Sequence, residues 1–489
     1  MVKPSGKNRK TTKYTGTSMK ILLINPPCGI RTIGLKNLTK IEPLNLELLG
    51  ATLKGYHEVR LVDMEVAPED LKETLSDFIP DIVGVTSEAV HVETALGALR
   101  MGRLAAPGCL TVVGGHQPTV WPEDFNNPVV DIIVRGEGTE SFKEICDVWA
   151  GGSNNFQHIK GLAFYKEGEL IQTPHRPLPK NLDHQPMPDR SLTKKYRSEY
   201  YYLWEKRVAA VRSSVGCSFP CTFCSPRIYT NGAFIPRSPE LLLEEIEGLE
   251  EEFIYLCDDH AFHDPDRMHK LVDMILSKGI KKRYFTYARV DSIVANKELF
   301  ALWAKAGLQL VMSGLESLDY EALKRTGKRV EKGQDIEALN ILKDVGIGMS
   351  AGFLVEDNFT CQDFQKIDDF VKQHPAIILT EYTPLTPLPG TVLHRKVEKD
   401  IITNDRQFYD LQHFLLPTRT PAKKLYKLMR DAYGRVVIRV FFRAGLWKPK
   451  NWSWHYIKMF KGLIKNFFAL GNAHLQIDHV TRADQDLAE

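Results

Sequence analysis

From residue 20 onward, short apolar runs ended by turn residues alternate with stretches whose apolar positions recur at helical spacing. Lys20–Asn25 is an unbroken apolar run stopped by Pro26-Pro27, the pattern of a buried strand that ends in a loop. Glu47–Leu53 reads as helix, Glu58–Asp63 as strand, 69–78 as helix, Ile82–Thr86 as strand, 93–104 as helix, and Leu110–Val113 and Asp131–Val134 as strands. Strands alternating with helices predict an α/β fold with a doubly wound parallel sheet. Such sheets bind ligands beyond the C-terminal ends of their strands. Those ends carry Pro26-Pro27, Thr86-Ser87, Gly114-Gly115-His116 and Gly136-Glu137-Gly138. A Gly-Gly pair lets backbone approach a ligand closely, although a tight turn would use it equally well.

The pattern then changes. Gly161–Gln172 reads as a hairpin turning at Glu167-Gly168, and HRPLPKNLDHQPMPDR holds too many prolines for regular structure, so it is expected to be an extended strap. Strand-like runs return at Phe253–Cys257, Tyr284–Ala288, Leu308–Met312, Ser350–Val355 and Ile377–Thr380, with helical stretches such as Pro239–Leu249, Pro265–Ser277 and Lys297–Ala306 between them. This repeat predicts a parallel barrel or part of one, with its chemistry at the C-terminal strand ends. The expected division is a basic flexible tail at 1–18, a first α/β domain at 19–150 with Met19 opening the folded part, a linker with hairpin at 151–205, a barrel at 206–400 and a helical region at 401–489.

Composition narrows the function classes. In 489 residues, 64 Lys and Arg face 61 Asp and Glu, a net charge of +3, so charge alone gives no footprint for nucleic acid. No apolar run is long enough to span a bilayer, and the basic start lacks the apolar segment of a secretory signal. Eight cysteines in a chain this long are not a disulfide scaffold. Cys217, Cys221 and Cys224 stand apart, in a C-x3-C-x2-C loop directly after the apolar run Val208–Val211. Structural zinc wants four ligands, and a ferredoxin cubane also takes four cysteines. Three cysteines on a [4Fe–4S] cluster leave one iron open; zinc or chance clustering is the alternative. Cys28, Cys109, Cys146, Cys257 and Cys361 are scattered and read as small core residues. His260 and His263 with Asp264 form a weaker candidate for a second metal.

The strand ends of the barrel are polar: Asp258-Asp259-His260, Arg289-Val290-Asp291, Ser313-Gly314-Leu315-Glu316 and Glu381-Tyr382-Thr383. Asp258, Asp259 and Glu316 can accept from an ammonium or ribose hydroxyls, and Arg289 can grip a carboxylate in fork geometry. Each alone reads equally as a solvated charge.

The cysteine spacing matches the motif of radical S-adenosylmethionine (SAM) enzymes. The first region, with ILLINPP, Glu42-Pro43-Leu44, VGGHQPTVWPEDF and VRGEGTESF, resembles the cobalamin-binding domains that precede such enzymes. Taken whole, from about Met19, the chain resembles cobalamin-dependent radical SAM proteins of the class B methyltransferase type. FYDLQHFLLPTRTP and the aromatic tail look most like the hopanoid C-3 methylase group. Bacteriochlorophyllide side-chain methylases and the anaerobic magnesium-porphyrin cyclase are further relatives. The resemblance implies cobalamin contacts at Ser87, Gly114, Gly115, Gly136 and Glu137. It implies cluster ligands at Cys217, Cys221 and Cys224, and SAM contacts at Phe223 beside the adenine and at Asp258, Asp259, Arg289 and Glu316. No Asp-x-His-x-x-Gly signature is present, which implies cobalt without a protein histidine beneath it.

The chemistry so implied starts with one-electron cleavage of SAM to methionine and a 5′-deoxyadenosyl radical. The radical takes hydrogen from an unactivated carbon, and the substrate radical takes methyl from methylcobalamin. An electron donor such as ferredoxin or flavodoxin is implied, in a reducing cytoplasm. From Arg435 to Lys465 basic residues mix with Trp and Phe, and no acid occurs between Asp431 and Asp478. That segment suits a flat anionic amphiphile, docking on an anionic membrane surface, or a cap on the barrel with a solvated basic face. It tips the expected substrate narrowly toward a bacteriochlorophyllide side chain (C-12 or C-8), with a hopanoid as the alternative. A radical cyclase or oxidase acting without methyl transfer also stays open. RNA methylthiolation lacks the extra cluster cysteines in the first domain, so no nucleic-acid partner is expected, and a corrinoid-binding sensor would not need the cysteine loop.

Overall fold

A computed structural model describes residues 17–34, 38–443, 447–448 and 454–478; the basic tail lies outside them apart from its last two residues. The first sheet contains β1 (Lys20–Asn25), β2 (Glu58–Asp63), β3 (Ile82–Thr86), β4 (Leu110–Gly114), β5 (Ile132–Val134), β6 (Leu162–Lys166) and β7 (Glu169–Gln172). Its spatial order is β2-β1-β3-β4-β5-β6-β7. β1 to β5 run parallel, and the β6–β7 hairpin adds antiparallel at the edge, with Ala163 opposite Ile133. The hairpin in the linker therefore extends the first sheet.

Strand alternation sorts the apolar run of β1 between two cores. Ile21 and Leu23 enter the one shared with α1 (Leu44–Leu53), while Leu22 and Ile24 enter the one shared with α2 (Asp70–Asp77) and α3 (Val92–Ala105). Phe142, Ile145 and Cys146 of α4 (Gly138–Ala150) complete the first core.

The second sheet is all parallel and follows chain order: β8 (Val208–Val211), β9 (Phe253–Leu256), β10 (Arg283–Tyr287), β11 (Leu308–Glu316), β12 (Gly348–Val355) and β13 (Ile377–Pro384). The helices α5 (Pro239–Glu247), α6 (Pro265–Ser277), α7 (Lys297–Ala306), α8 (Gln334–Val345) and α9 (Cys361–Gln373) connect these strands, and their apolar faces share one large core with them. This is the expected partial barrel. α8 and α9 are further helices of the expected strand–helix repeat. α8 buries Ala338, Leu339 and Leu342 along with Asp335; α9 buries Phe364, Ile367 and Val371 along with Asp368. α10 (Ala422–Arg443) brings Leu425, Tyr426 and Met429 into the same core, and α11 (Trp454–Asn472) packs on α10. No helix among the described residues is long and apolar enough to cross a membrane.

The strap joins the two sheets through charge. Glu42, at the entry to α1, is buried and accepts from Arg190 and Arg197 of the strap and from the Ala210 amide of β8 (2.6 Å). Arg190 also reaches Glu245 of α5 (2.6 Å) and the Ala210 carbonyl (2.7 Å), and Arg197 reaches Glu251 (2.5 Å). Removing one partner of such a buried set leaves an uncompensated charge. Arg190→Ala is therefore expected to cost about 3–5 kcal/mol, read as a lower urea midpoint, whereas Lys278→Ala on the exposed Glu247 pair should change it by under about 1 kcal/mol.

Candidate functional site

The C-terminal ends of the first sheet face the loop that carries the three cysteines. A cavity of about 330 Å³ lies between these strand ends and the residues on either side of that loop, Val215 and Pro226; Cys217, Cys221, Phe223 and Cys224 are not among its lining. Thr86, Gly114, Gly115, Gly136 and Glu137 form one wall; Arg212, Tyr229, Cys257 and Asp259 form the other. Gly115 has φ +113°, and a Cβ there would lie 2.8 Å from the Ser87 carbonyl oxygen, so only glycine fits this loop. Glu137 accepts from the amide (3.0 Å) and hydroxyl (2.7 Å) of Thr139, capping α4 at the cavity edge. The Tyr229 hydroxyl donates to the Gly136 carbonyl at 2.7 Å, tying the two walls together.

Ser87 does not line this cavity. It is fully buried, and its hydroxyl donates to the Glu88 carbonyl at 2.9 Å. Its neighbour Thr86 takes the place, with the Asn45 amide donating to its hydroxyl at 2.9 Å. Asn45, Arg212 and Tyr229 were not foreseen. Arg212 could have been, since it directly follows the apolar run of β8; Asn45 and Tyr229 reach the cavity from helices whose sequences do not mark them.

The cysteine loop is pinned on several sides. The Gly216 amide donates to Asp259 (2.7 Å), the Thr222 amide to the Thr326 carbonyl (2.8 Å) and the Leu393 amide to the Thr222 carbonyl (2.9 Å). Gly216 has φ +91°, and a Cβ there would meet the Ala233 carbonyl oxygen at 2.1 Å. Burial raises the Cys224 thiol to about 12, and the neighbouring Cys221 and Cys217 push it the same way. Thiols that oppose one another's ionisation suit a shared cationic centre. Tetrahedral zinc would hold its sulfurs about 3.8 Å apart. Among the described residues, the only three ligand groups whose atoms all lie within 4.8 Å of one another are those of Cys28, Glu65 and His91.

The candidate SAM contacts separate. Asp259 faces the main cavity. Asp258 is buried and does not line the cavity: it accepts from the Ser213 and Ser214 amides (2.7 and 2.8 Å) and the Ser213 hydroxyl, with Arg267 nearby. Arg289 holds Asp291 in a fork (3.0 and 2.9 Å), and its guanidinium lies 3.5 Å over the Phe219 ring of the cysteine loop. Glu316 pairs with Lys328 at 2.9 Å and lines a second cavity of about 230 Å³ with Thr222 and Lys396. Phe223 is half-buried within the loop.

The second-metal candidate does not assemble. Asp264 caps α6 by accepting from the Arg267 amide, and His260 Nε2 meets the Ser292 hydroxyl at 2.9 Å. Of the scattered cysteines, Cys109 and Cys146 are buried as expected, but Cys257 lines the cavity, Cys361 is exposed, and Cys28 faces His91 Nε2 at 3.4 Å. The Glu88 amide donates to His91 Nδ1 at 3.3 Å, which leaves the Nε2 proton pointing at Cys28 and Glu65 and lets the group satisfy itself.

Comparisons with known proteins agree with this geometry. The B12 binding domain family matches residues 30–146, and the Radical SAM superfamily matches residues 211–371. The chain joins a B12 binding domain to a radical SAM domain. Its cofactors are cobalamin, SAM and a [4Fe–4S] cluster. The hopanoid C-3 methylase of Methylococcus capsulatus is 28% identical over 415 residues, 83% of this chain and 78% of that protein. The anaerobic magnesium-protoporphyrin IX monomethyl ester cyclase of Cereibacter sphaeroides is 26% identical over 453 residues, 87% of this chain and 72% of that protein. The cobalamin-dependent SAM radical enzyme OxsB, solved with aqua-cobalamin and SAM bound, shares the fold with a TM-score of 0.67 at 18% identity; the match covers 86% of this chain and 67% of OxsB.

Two outcomes test the site of this cobalamin-dependent radical SAM enzyme. Gly115→Ala is expected to lower cobalamin retention at least about ten-fold in a gel-filtration assay while the cluster absorbance persists. His260 is lowered to about 3 by burial, with the His263 and Arg289 charges adding to it. Below an ordinary histidine pKa of about 6.5 the unfolded chain therefore gains a proton that the fold refuses, and stability falls as pH falls. Between pH 6.5 and 5 this one group should remove about 2 kcal/mol, a loss that His260→Gln abolishes in urea titrations.

Proposed function

We propose that this enzyme transfers a methyl group to an unactivated sp3 carbon of a large apolar polycyclic substrate of the triterpenoid class. The observation that carries the reading is a single cavity with the Gly114-Gly115 wall on one side and Asp259, hydrogen-bonded to the cysteine loop, on the other. A methyl carrier seated on the first wall and a radical source seated on the second open onto the same space. Bound there, the cofactors supply one-electron cleavage of SAM, removal of a hydrogen atom and the methyl group that replaces it.

The residues then take these roles. Cys217, Cys221 and Cys224 hold the cluster. The backbone at Gly114, Gly115 and Gly136, flanked by Thr86 and Glu137, faces cobalamin. Asp259 in the main cavity and Glu316 in the second would take the polar ends of SAM, with Arg289 and Phe223 beside the cysteine loop. Hydrogen-atom transfer from an sp3 carbon moves no proton to a base, so no acid–base pair is required of the chain. Its task is to hold the reactants in near-contact and exclude water. A ferredoxin or flavodoxin would deliver the electron, in the reducing cytoplasm that three open thiols require.

The triterpenoid class is supported by the hopanoid C-3 methylase relative. A tetrapyrrole side chain, the narrow preference drawn from the tail alone, becomes the second reading, supported by the porphyrin cyclase relative and by the basic tail. The test is an anaerobic reaction of reconstituted protein with cobalamin, reductant, methyl-deuterated SAM and either hopanoid or bacteriochlorophyllide, read by mass spectrometry. Labelled hopanoid with equal yields of 5′-deoxyadenosine and S-adenosylhomocysteine is expected. Deoxyadenosine with neither methylated product nor S-adenosylhomocysteine would mean a cyclase or oxidase. Cys217→Ala should reduce SAM cleavage to background; cleavage that survives it overturns the cluster assignment.

A further inference from the structure

The C-terminal helices turn one face to the core and leave another uncovered. Leu425, Tyr426, Met429, Ala432 and Val436 of α10 are buried in the barrel core, and α11 buries Met459 and Leu470. On the outside, Ile438, Phe442, Trp447, Phe460, Ile464 and Phe468 are between 40 and 64% exposed. Ile438 and Phe442 are four residues apart on α10, and Phe460, Ile464 and Phe468 are successively four apart on α11. Each set therefore forms a stripe along its helix. The Phe441 and Phe460 rings, with centroids 6.4 Å apart, join the two helices, and Phe441 also meets Phe442. The two helices thus carry neighbouring stripes of exposed apolar side chains joined through Phe441.

Its charge has one sign. Residues 432–477 contain eight Lys and Arg and no Asp or Glu. Arg435 and Arg439 turn inward to Asp368 (3.7 and 3.0 Å), and Lys458 pairs with Glu199 (3.0 Å). Lys461 and Lys465 are exposed, each adjacent in sequence to a member of the α11 stripe, and Lys448 reaches over the Trp447 ring at 4.8 Å.

We infer that this face docks on an anionic lipid bilayer, with α10 and α11 lying in the interface rather than across it. A stripe of aromatic and aliphatic residues bordered by lysines is the composition of an interfacial helix, and no helix among the described residues can span. A second copy of the chain would bring a purely basic face against itself, which electrostatics opposes. The inference stands on the surface alone and is independent of the substrate.

Co-sedimentation of the full chain with phosphatidylcholine vesicles, with and without phosphatidylglycerol, tests it. Binding is expected only to the anionic vesicles and is expected to weaken as salt rises. Lys461→Glu with Lys465→Glu should lower partitioning at least about ten-fold, and Ile464→Ser with Phe468→Ser should do the same, with circular dichroism and cluster absorbance unchanged. Any of four results overturns the inference: no binding to anionic vesicles, equal binding to neutral ones, binding that neither double variant alters, or preferential binding of an oligonucleotide. Concentration-dependent dimerisation that the apolar double variant abolishes, without vesicle binding, would assign the face to a second copy instead.

Discussion

A carboxylate without access to water is costly unless cations and amides replace its hydration. Glu42 is such a group, and its three donors come from two different places: Arg190 and Arg197 on the strap, and the Ala210 amide on the first barrel strand. Because none of them can leave without stranding the charge, the entry to α1 is fixed against β8. Arg190 carries the constraint onward to Glu245, which Arg237 shares, and Arg197 carries it to Glu251. The strap between the domains, irregular as far as Pro188, thus ends in a charge-locked bolt.

The bolt matters because the cavity has no wall of its own. One side is the strand ends of the first sheet; the other is the strand ends of the barrel with the residues that flank the cysteine loop, Val215 and Pro226 among them. Their separation is set by whatever holds the two sheets in register. Radical transfer between two bound partners depends steeply on approach distance, so a rigid link between their supports is worth more than any single contact in the cavity. Tyr229, which donates to Gly136 across the gap, makes the same connection from the cavity side.

Much of this was legible in the sequence, and the failures share a cause. β1, the hairpin and the cysteine loop announced themselves because apolar runs, turn glycines and cysteine spacing are local signals. Ser87 and Asp258 turn away from the cavity, whereas Asp259, also expected there, lines it. Adjacent residues around a strand end face opposite sides, so Thr86 and Asp259 reach the cavity while their neighbours turn into the protein. Pattern reading fixes that a strand end is polar but not which phase faces the ligand. The pairing of the hairpin with the first sheet, and the convergence on Glu42 of residues some 150 positions away, are long-range facts with no local trace.

A second clasp lies on the opposite side of the first domain, within the FYDLQHFLLPTRTP segment and just before it. Asp410 accepts from the Ile33 amide (2.7 Å), Gln407 donates to Glu93 (2.7 Å), Arg406 donates to Asp124 (2.8 Å), and Arg31 reaches Asp405 (3.1 Å). Both clasps would strand a buried carboxylate if they opened: Glu42 in the first, and in the second Asp410, which also meets His413 Nδ1 at 2.9 Å. Within the second, the Arg406–Asp124 pair is largely shielded and Arg31–Asp405 is partly in water. The segment that makes it runs on into α10, so the contact between the domains and the exposed apolar face belong to one stretch of chain.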